Sequence, residues 1–332
     1  MLEILIVGAV SSAIYAMLAV GFTLIFGVAR VLNLAHGSFY ALGAYGAYVL
    51  TSQVKLPLLP AALLSVALVA MFGIVIERVF IRPMRKSQLG VLMITLAVAL
   101  VVEQALFLTF GSEYRNVPAF IDSKFTIGGV NIAGARLLAL GVGIVVIGAL
   151  WLFIQHTRYG SAILAISQDP EAAQYMGIPS DRIFSVVMGI SAALAALAGV
   201  LAGPFLTVQP TMWLLPIVKA FAIVVVGGLG SIPGSILAAL MLGYAETIVG
   251  YTISTSWTEI VSVLATLLML MFRPAGIFGR RAAVNPAQHG FDARHELGGG
   301  ERLGEVVVGT ELEAQHPVDF AVACREEDHR HL

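Results

Sequence analysis

Residues Ile4–Ala29 read ILIVGAVSSAIYAMLAVGFTLIFGVA, a stretch without a charged side chain. A bilayer core about 30 Å thick requires roughly 20 consecutive apolar residues in a helix, so this stretch is long enough to cross a membrane. It is also too long for the apolar core of a signal peptide, and Met1–Glu3 supply no positive charge ahead of it. We therefore interpret it as a retained first span.

The same apolar pattern continues along the chain to about residue 272. Further runs occupy residues 38–54, 57–77, 90–111, 136–154, 183–206, 217–226, 236–252 and 257–272. They predict an all-α fold, a polytopic membrane helix bundle of eight or nine spans. The run 217–226 has about half the length that a full crossing requires, so one or two helices are expected to be broken or re-entrant.

The charged residues divide the chain into two parts. Overall, 58% of residues are hydrophobic and 12% are charged, whereas soluble proteins carry about 25% charged residues. Residues 279–332 hold 6 of the 19 basic and 10 of the 20 acidic residues, which gives a tail of −4 (6 − 10) and a body of +3 (13 − 10). We expect a transmembrane domain over residues 1–279 and a polar, disordered cytoplasmic tail over residues 280–332.

Two classes of function are excluded by these counts. The basic residues form no stripe of the kind that binds nucleic acid, so nucleic-acid binding is excluded as a main function. The single cysteine, Cys324, lies in the tail and has no partner for a disulfide or for a cysteine-based metal site.

The orientation follows from Lys and Arg in the short loops, which favour the cytoplasmic side. The basic residues cluster at three places. The third run is followed by Arg78, Arg82, Arg85 and Lys86, and the loop between the fifth and sixth runs is flanked by Arg158 and Arg182. The last run is followed by Arg273, Arg280 and Arg281. Residues 112–135, with a β-like stretch from Phe125 to Gly134, are then outside, and so is the N-terminus.

Two breaks interrupt the apolar runs. One is Asn33-Leu-Ala-His-Gly37, and the other is Gly227-Gly-Leu-Gly-Ser-Ile-Pro-Gly234. Paired breaks of this kind mark midplane binding sites in transporters, because freed helix N-termini can hold a carboxylate. The alternative is that both are ordinary tight turns at the membrane surface.

Ionisable residues inside apolar runs are candidates for function because each costs several kcal/mol to insert. Glu103 and Glu246 are such residues, and either could bind a substrate amine or pair with a neighbouring helix. His36 is expected to cap or pack a helix, since no second ligand stands at the spacing that a metal site requires. Gly199 and Gly203 form a Gly-x-x-x-Gly pair that predicts close helix packing.

A short cytoplasmic helix is predicted between the fifth and sixth runs. Asp169 is an N-cap residue, Pro170 suits the first helical position, and Gly177 is a natural C-terminal stop. We expect a helix of about two turns from Pro170 to Met176 that either docks into a groove on a partner or remains a solvated loop helix.

Several of these motifs together resemble a known family. The segment Asp169-Pro-Glu-Ala-Ala173 followed by Gly177 and Ile178 is similar to the loop by which ABC importer permeases contact their ATPase subunits. The motifs Asn33–Gly37, Tyr40–Tyr45, Gly227–Gly234 and Arg273–Ile277 resemble the permeases of branched-chain amino acid ABC importers, most of all the shorter permease type. The resemblance covers about residues 1–279.

The resemblance implies a transport subunit of the bacterial inner membrane that works by alternating access and is not itself an enzyme. It implies as partners a second, similar permease, two ATPase subunits that carry ATP and Mg, and an extracytoplasmic substrate-binding protein; this chain would bind no cofactor. The implied site residues form a coupling surface and a translocation path: Asp169, Glu171, Ala172, Ala173 and Gly177 for coupling, and Asn33, His36, Gly228 and Gly230 for the path, to which the intramembrane Glu103 and Glu246 are added. The chain has no G-x-x-x-x-G-K-[ST] motif, so ATP hydrolysis is expected on another subunit.

The sequence is also compatible with other functions. The same type of permease could serve urea, short amides or other amino acids. An ion-coupled secondary carrier would need ionisable side chains that relay ions through the membrane. Glu103 and Glu246 are the two candidates that the apolar runs indicate for this role. A membrane enzyme is disfavoured because neither H-E-x-x-H nor G-x-S-x-G occurs.

Overall fold

The computed structural model describes residues 2–85, 87–121, 123–127, 130–273 and 276–278. Within these residues the chain is almost entirely helical, with one short β-hairpin, so the predicted helical class is confirmed. The predicted tail, residues 280–332, lies outside the described residues, as do Lys86, Arg280 and Arg281.

The elements follow the predicted apolar runs closely. The helices are α1 (Leu2–Ala29), α2 (Ala35–Ser52), α3 (Leu58–Ile76), α4 (Arg82–Met84), α5 (Gln88–Phe110), α6 (Gly134–His156), α7 (Arg158–Gln168), α8 (Pro170–Tyr175), α9 (Ser180–Ala202), α10 (Leu214–Gly227), α11 (Ile232–Thr252) and α12 (Thr258–Phe272), and the strands are β1 (Lys124–Ile127) and β2 (Val130–Ala133). A π-helical segment, Glu77–Ile81, joins α3 to α4, and a single 3₁₀ turn, Thr255–Trp257, precedes α12.

Seven of the described helical stretches are long and apolar enough to cross a membrane. They are α1, Leu58–Met84, α5, α6, α9, α11 and Thr255–Phe272. The more polar α2 has 18 residues and is not among them, and α10 has only 14. The chain is therefore a polytopic helix bundle, while the predicted total of eight or nine spans depends on how α2 and α10 are counted.

Helix α1 lies at the centre of the bundle and runs antiparallel to α11. The Ser12 hydroxyl donates to the carbonyl of Leu240 at 3.3 Å. Towards the other end of α1, the hydroxyls of Thr23 and Ser235 are 2.6 Å apart. Small hydroxyl side chains thus find partners, a backbone carbonyl or another hydroxyl, between two otherwise apolar helices.

Glycines allow the close packing of α9 against α2 and the outer loop. A Cβ atom on Gly199 would lie 2.9 Å from the carbonyl carbon of Tyr40, and one on Gly203 would lie 2.8 Å from a side-chain carbon of Val117. Side chains larger than hydrogen do not fit at these distances. The predicted packing role of the Gly-x-x-x-Gly pair is confirmed.

Two crossings of the bundle are interrupted at membrane depth. Residues 30–34 are non-helical, and α2 begins deep beside α1, where His36 reaches the carbonyl of Leu18. Residues 203–213 are irregular as well, and they lead into α10 at Trp213. Trp213 packs closely on α2, because a Cβ on Gly37 would lie 2.7 Å from its carbonyl oxygen. The N-terminal ends of α2 and α10 therefore meet inside the bundle. Irregular backbone is tolerated at that depth because protein covers it.

The predicted β-like stretch is a small antiparallel hairpin. Strands β1 and β2 pair with Phe125 opposite Ile132 and Thr126 opposite Asn131. In the preceding loop, Arg115 pairs through its backbone with Val208, so this loop is fixed to the segment that leads into α10.

Candidate functional site

A buried ion pair joins three helices near the middle of α1. The ammonium of Lys219 on α10 donates to Oε2 of Glu246 on α11 at 2.7 Å and to the hydroxyl of Tyr15 on α1 at 2.7 Å. The Tyr15 hydroxyl in turn donates to the same Glu246 oxygen at 2.7 Å. The side chains of Lys219 and Glu246 are 16% and 5% exposed. Charges at this depth are stable only when they are paired, and this triad provides the pairing.

A cavity of about 410 Å³ lies on one side of this triad. Its wall is formed by α1, the first turns of α10, and the irregular segment 203–213, with Tyr40 of α2 and Arg136 of α6. Tyr15 and Lys219 line the cavity directly. Its volume falls in the range of small-molecule sites, which are roughly 300–1,000 Å³ and mostly apolar with a few polar groups.

The apolar wall follows one face of α1 from Val7 to Leu18. The eleven helical rises between these two residues span about 16 Å at 1.5 Å each. In the orientation predicted from the basic loops, Val7 and Arg136 lie towards the outside, and Leu18 lies near the middle of the membrane. In that predicted orientation, the cavity would lie in the outer half of the bilayer.

Glu103 is the second predicted intramembrane acid, and it too contacts the start of α10. Its Oε2 accepts a hydrogen bond from the indole N–H of the buried Trp213 at 2.9 Å. A carboxylate beside a helix N-terminus is favourable because the helix dipole is positive there. Both intramembrane acids are thus tied to α10, one at its first turn and one through Lys219.

Asn33 and His36 are buried between helices. Oδ1 of Asn33 accepts from the backbone N–H of Ala35 at 3.1 Å and so helps to satisfy the free end of α2. Nε2 of His36 lies 3.0 Å from the Leu18 carbonyl, and its Nδ1 lies 3.1 Å from the hydroxyl of Ser191 on α9. His36 connects α1, α2 and α9, which agrees with the expected packing role. Among the residues that the structure describes, no cluster of His, Cys, Asp or Glu could hold a metal ion.

The glycine break lies at one end of the bundle, away from the cavity. Gly228 and Gly230 have φ values of 102° and 82°, which glycine adopts most readily. Gly230 lies beside Gly27, close to the end of α1, and the backbone N–H of Ile277 donates to the Val226 carbonyl at 2.9 Å. Of the two predicted breaks, the one containing Asn33 and His36 lies beside the start of α10, whereas the glycine break follows the end of α10.

The predicted cytoplasmic helix is present as α8. Oδ1 of Asp169 accepts from the backbone N–H groups of Glu171 and Ala172 at 2.9 and 3.0 Å, and Gly177 adopts a φ of 80° after the last turn. Ala173 faces the protein, whereas Tyr175 and Met176 are 89% and 84% exposed. The Arg30 guanidinium donates to the Gln168 carbonyl at 3.3 Å, which ties the segment before α8 to the end of α1.

A second charged cluster lies beside the start of α9. The buried carboxylate of Glu77 pairs with Arg85 and accepts a hydrogen bond from the Ser185 hydroxyl at 2.6 Å. Arg85 also donates to Asp181 at 3.0 Å and stacks on the ring of Phe184 at 3.8 Å. This cluster fixes the beginning of α9 to the end of α3.

Lys219 and Tyr15 were missed by reasoning from the sequence. Lys219 stands inside the run 217–226, which was interpreted only as a short apolar segment, so the count of intramembrane charges as two acids was wrong. A lone lysine in an apolar run was a sufficient signal, because such a residue needs an acidic partner. Tyr15 carried no signal of its own.

Comparison with known families covers most of the chain. A family described as "Branched-chain amino acid transport system / permease component" matches residues 4–272. The high-affinity branched-chain amino acid transport system permease protein BraD of Pseudomonas aeruginosa is 33% identical over 84% of this chain and 96% of its own length. LivH of Escherichia coli, a permease protein of the same description, is 31% identical over 82% of this chain and 94% of its own.

More distant matches extend beyond amino acid systems. The ribose import permease protein RbsC of Escherichia coli is 28% identical over 78% of this chain and 82% of its own length. The solved structure of PsaBC from Streptococcus pneumoniae in complex with Fab aligns with 82% of this chain and 92% of its own at a TM-score of 0.47 and 16% identity. That score is too low to establish a common fold.

The matched relatives are transport permease subunits, and the match runs through the whole helical body. With apolar helices long enough to cross a membrane, the chain is a multi-pass protein of the bacterial plasma membrane. It belongs to the family of permease components of branched-chain amino acid transport systems.

Proposed function

We propose that this chain is the inner-membrane permease subunit of an ABC importer that moves branched-chain amino acids by alternating access. The observation that carries the proposal is α8, a short and fully capped helix that holds two large apolar side chains, Tyr175 and Met176, in an exposed position. Exposed apolar groups on a rigid helix outside the apolar spans suit a groove on a partner protein.

The connections of α8 explain how a partner could move the bundle. Before α8, Gln168 is bonded to Arg30 at the end of α1. After α8, the chain enters α9 at Ser180, and Asp181 and Ser185 join the cluster around Glu77. A displacement of α8 would therefore reach α1 and α9, the two helices at the centre of the bundle, by rigid-body movement.

The coupling surface and the partners follow from this assignment. We assign the coupling contact to Asp169, Glu171, Ala172, Ala173 and Gly177. The partners proposed are two ATPase subunits, a second and similar permease, and an extracytoplasmic substrate-binding protein. ATP and Mg would be held by the ATPase subunits, and this chain would hold no cofactor, in keeping with a sequence that lacks a phosphate-binding loop.

The translocation path is proposed to run beside α1, α2 and α10. Glu246 and Glu103 would set the position of α10, and Asn33 and His36 would hold the deep end of α2. Gly228 and Gly230 would form the cytoplasmic end of the path, where the backbone turns tightly beside Gly27. The mostly apolar cavity wall suits the side chains of leucine, isoleucine and valine.

We also propose nine crossings, two of them interrupted. The seven long helices and α2 account for eight, and residues 203–227 make one further crossing from an irregular outer half and the short α10. An odd number agrees with an external N-terminus and a cytoplasmic Arg273. The transmembrane domain is proposed to end near residue 279, with residues 280–332 as a separate polar tail.

Two other functions remain as alternatives. The ribose permease among the relatives shows that similar permeases are named for other substrates, so urea, short amides or other amino acids are the first alternative. An ion-coupled secondary carrier is the second, since the Tyr15, Lys219 and Glu246 triad provides ionisable groups at membrane depth.

The proposal is tested by uptake into vesicles that contain this chain with its partner subunits and its binding protein. We expect radiolabelled leucine to accumulate in the vesicles when ATP is supplied on the side of the membrane that carries the ATPase subunits. Radiolabelled urea should remain at background. Uptake of urea instead would change the substrate and keep the importer. Leucine uptake that is independent of ATP and abolished by a protonophore would overturn the proposal in favour of a carrier.

The coupling assignment is tested separately with matched tyrosine variants. Tyr175→Ala removes an exposed ring from α8, and Tyr114→Ala removes an exposed ring from the loop on the opposite face. We expect the first variant to lose ATPase co-purification and leucine uptake together, and the second to retain ATPase binding. Equal ATPase binding by both variants would contradict the assignment of α8.

A further inference from the structure

We propose that the cavity beside α1 is a binding site for the α-carboxylate of the transported amino acid, with Lys219 as the donor. This inference rests on the proposed function and extends it by naming a substrate-contacting group. It uses a residue that lines the cavity, is buried in the bundle and carries a charge at membrane depth.

The charges on the wall favour an anion. The residues that line the cavity include two cations, Lys219 and Arg136, and no carboxylate. Arg136 lies at the first turn of α6, in the direction predicted as outside, so it stands at the mouth, while Lys219 stands deeper. The carboxylate of an entering ligand would therefore meet Arg136 first and Lys219 deeper in the cavity.

One N–H group of the Lys219 ammonium has no acceptor among the residues that the structure describes. An ammonium carries three N–H groups, and among the residues that the structure describes only Tyr15 and Glu246 accept from it. Both acceptors lie on helices that pack against α10, and they hold the ammonium in one place. The remaining N–H is available to a ligand in the cavity that Lys219 lines.

Glu246 holds the Lys219 ammonium in place without lying in the cavity. The carboxylate is nearly fully buried and does not line the cavity, and its contact with the ammonium uses Oε2 alone. An ammonium without a counterion at this depth is costly, and the ion pair with Glu246 offsets that cost. Glu246 therefore acts as a positioning residue rather than as a ligand.

The rest of the cavity suits an aliphatic body. Val10, Ile14 and Leu18 follow one another at four-residue spacing along the same face of α1, and they stand with Met212 and Leu215 around the start of α10. The positive end of α10 also borders the cavity at this point, which favours a negative group there. A carboxylate attached to a short branched alkyl chain satisfies both features.

The competing explanation is that the triad only joins α1, α10 and α11. The two explanations separate when both charges are removed together. Lys219→Met/Glu246→Met keeps the volume and removes the buried charges, and such replacements leave stability nearly unchanged. A purely structural pair would then be dispensable for ligand binding, whereas a carboxylate site would be lost. Val218→Met, on an exposed face of the same helix, is the matched control.

The test is the thermal stability of the purified complex with its ATPase subunits, in the absence of the binding protein. The probes are leucine, 4-methylpentanoate, which keeps the carboxylate and lacks the amine, and 3-methylbutylamine, which does the reverse. We expect leucine and 4-methylpentanoate to raise the unfolding temperature of the wild type and of Val218→Met, with no effect from the amine. The double variant should show no shift with any probe.

Three results would overturn the assignment. They are an equal shift in the double variant, an equal shift with the amine, and no shift with either carboxylate in the wild type. Leucine uptake in vesicles, measured on the same proteins, keeps this test apart from the proposed function. If the wild type and the double variant both take up leucine fully, the carboxylate site is wrong and the importer assignment stands. If the wild type shows no ATP-dependent uptake, the importer assignment is wrong as well.

Discussion

The ammonium of Lys219 lies 2.7 Å from Oε2 of Glu246, and this contact holds α10 against α11 inside the apolar bundle. Removal of one partner leaves the other charge buried without compensation, which costs about 3–5 kcal/mol, whereas removal of both leaves an apolar contact. We predict that Glu246→Met destabilises the chain by that amount and that adding Lys219→Met restores most of the loss. The free energy of unfolding of the single and double variants in detergent measures this, and strictly additive losses would contradict it.

Close packing of α2 on α9 gives a second prediction. A Cβ on Gly43 would lie 2.5 Å from the Cα of Ala196, whereas a Cβ on Gly148 of α6 would meet no atom within 4 Å. We predict that Gly43→Ala lowers stability by at least about 1–3 kcal/mol through overpacking. Gly148→Ala should be neutral or slightly stabilising. The yield and unfolding temperature of the two variants check this, and equal behaviour would show that α2 and α9 separate freely.

The cluster at the start of α9 contains one buried and one exposed acid, which are expected to differ. Glu77 is buried with Arg85 and Ser185, whereas Asp181 is 61% exposed. We predict that Glu77→Ala costs about 1–3 kcal/mol, because the Arg85 guanidinium and the Ser185 hydroxyl lose their buried acceptor while Arg85 keeps Asp181. Asp181→Ala should cost less than about 1 kcal/mol. Chemical unfolding of both variants tests the difference, and a larger effect of Asp181→Ala would contradict this burial pattern.

Most of the helical architecture could be predicted from the sequence because apolar length alone defines a membrane helix. The capped helix α8 was predicted at Asp169, Pro170 and Gly177, since capping is a local effect that the sequence shows directly. The packing role of His36 was also predicted, and it is confirmed by its bonds to Leu18 and Ser191.

The site itself could not be predicted in the same way. The triad brings Tyr15 to Glu246 across 231 positions of sequence, and no periodicity reports such a contact. Residues 203–206 of the irregular segment were predicted as the end of a long apolar run, although Gly203 and Pro204 favour a helix end at this point. The placement of Lys219 beside a cavity likewise follows only from the helix arrangement.

The cavity beside α1 is proposed to belong to the path of an ATP-driven importer. Ser11 lines this cavity, whereas Tyr114 is 70% exposed in the outer loop and does not line it. Replacing Cys324 by serine first leaves Ser11→Cys or Tyr114→Cys as the only cysteine of the chain. A charged, membrane-impermeant thiol reagent can then modify either position from outside.

The deciding measurement is ATP-driven uptake of radiolabelled leucine before and after this modification. We predict that modified Ser11→Cys loses leucine uptake, because a charged adduct fills the cavity and blocks the passage of leucine. Modified Tyr114→Cys should keep its uptake. Full leucine uptake by Ser11→Cys after complete modification would contradict the account.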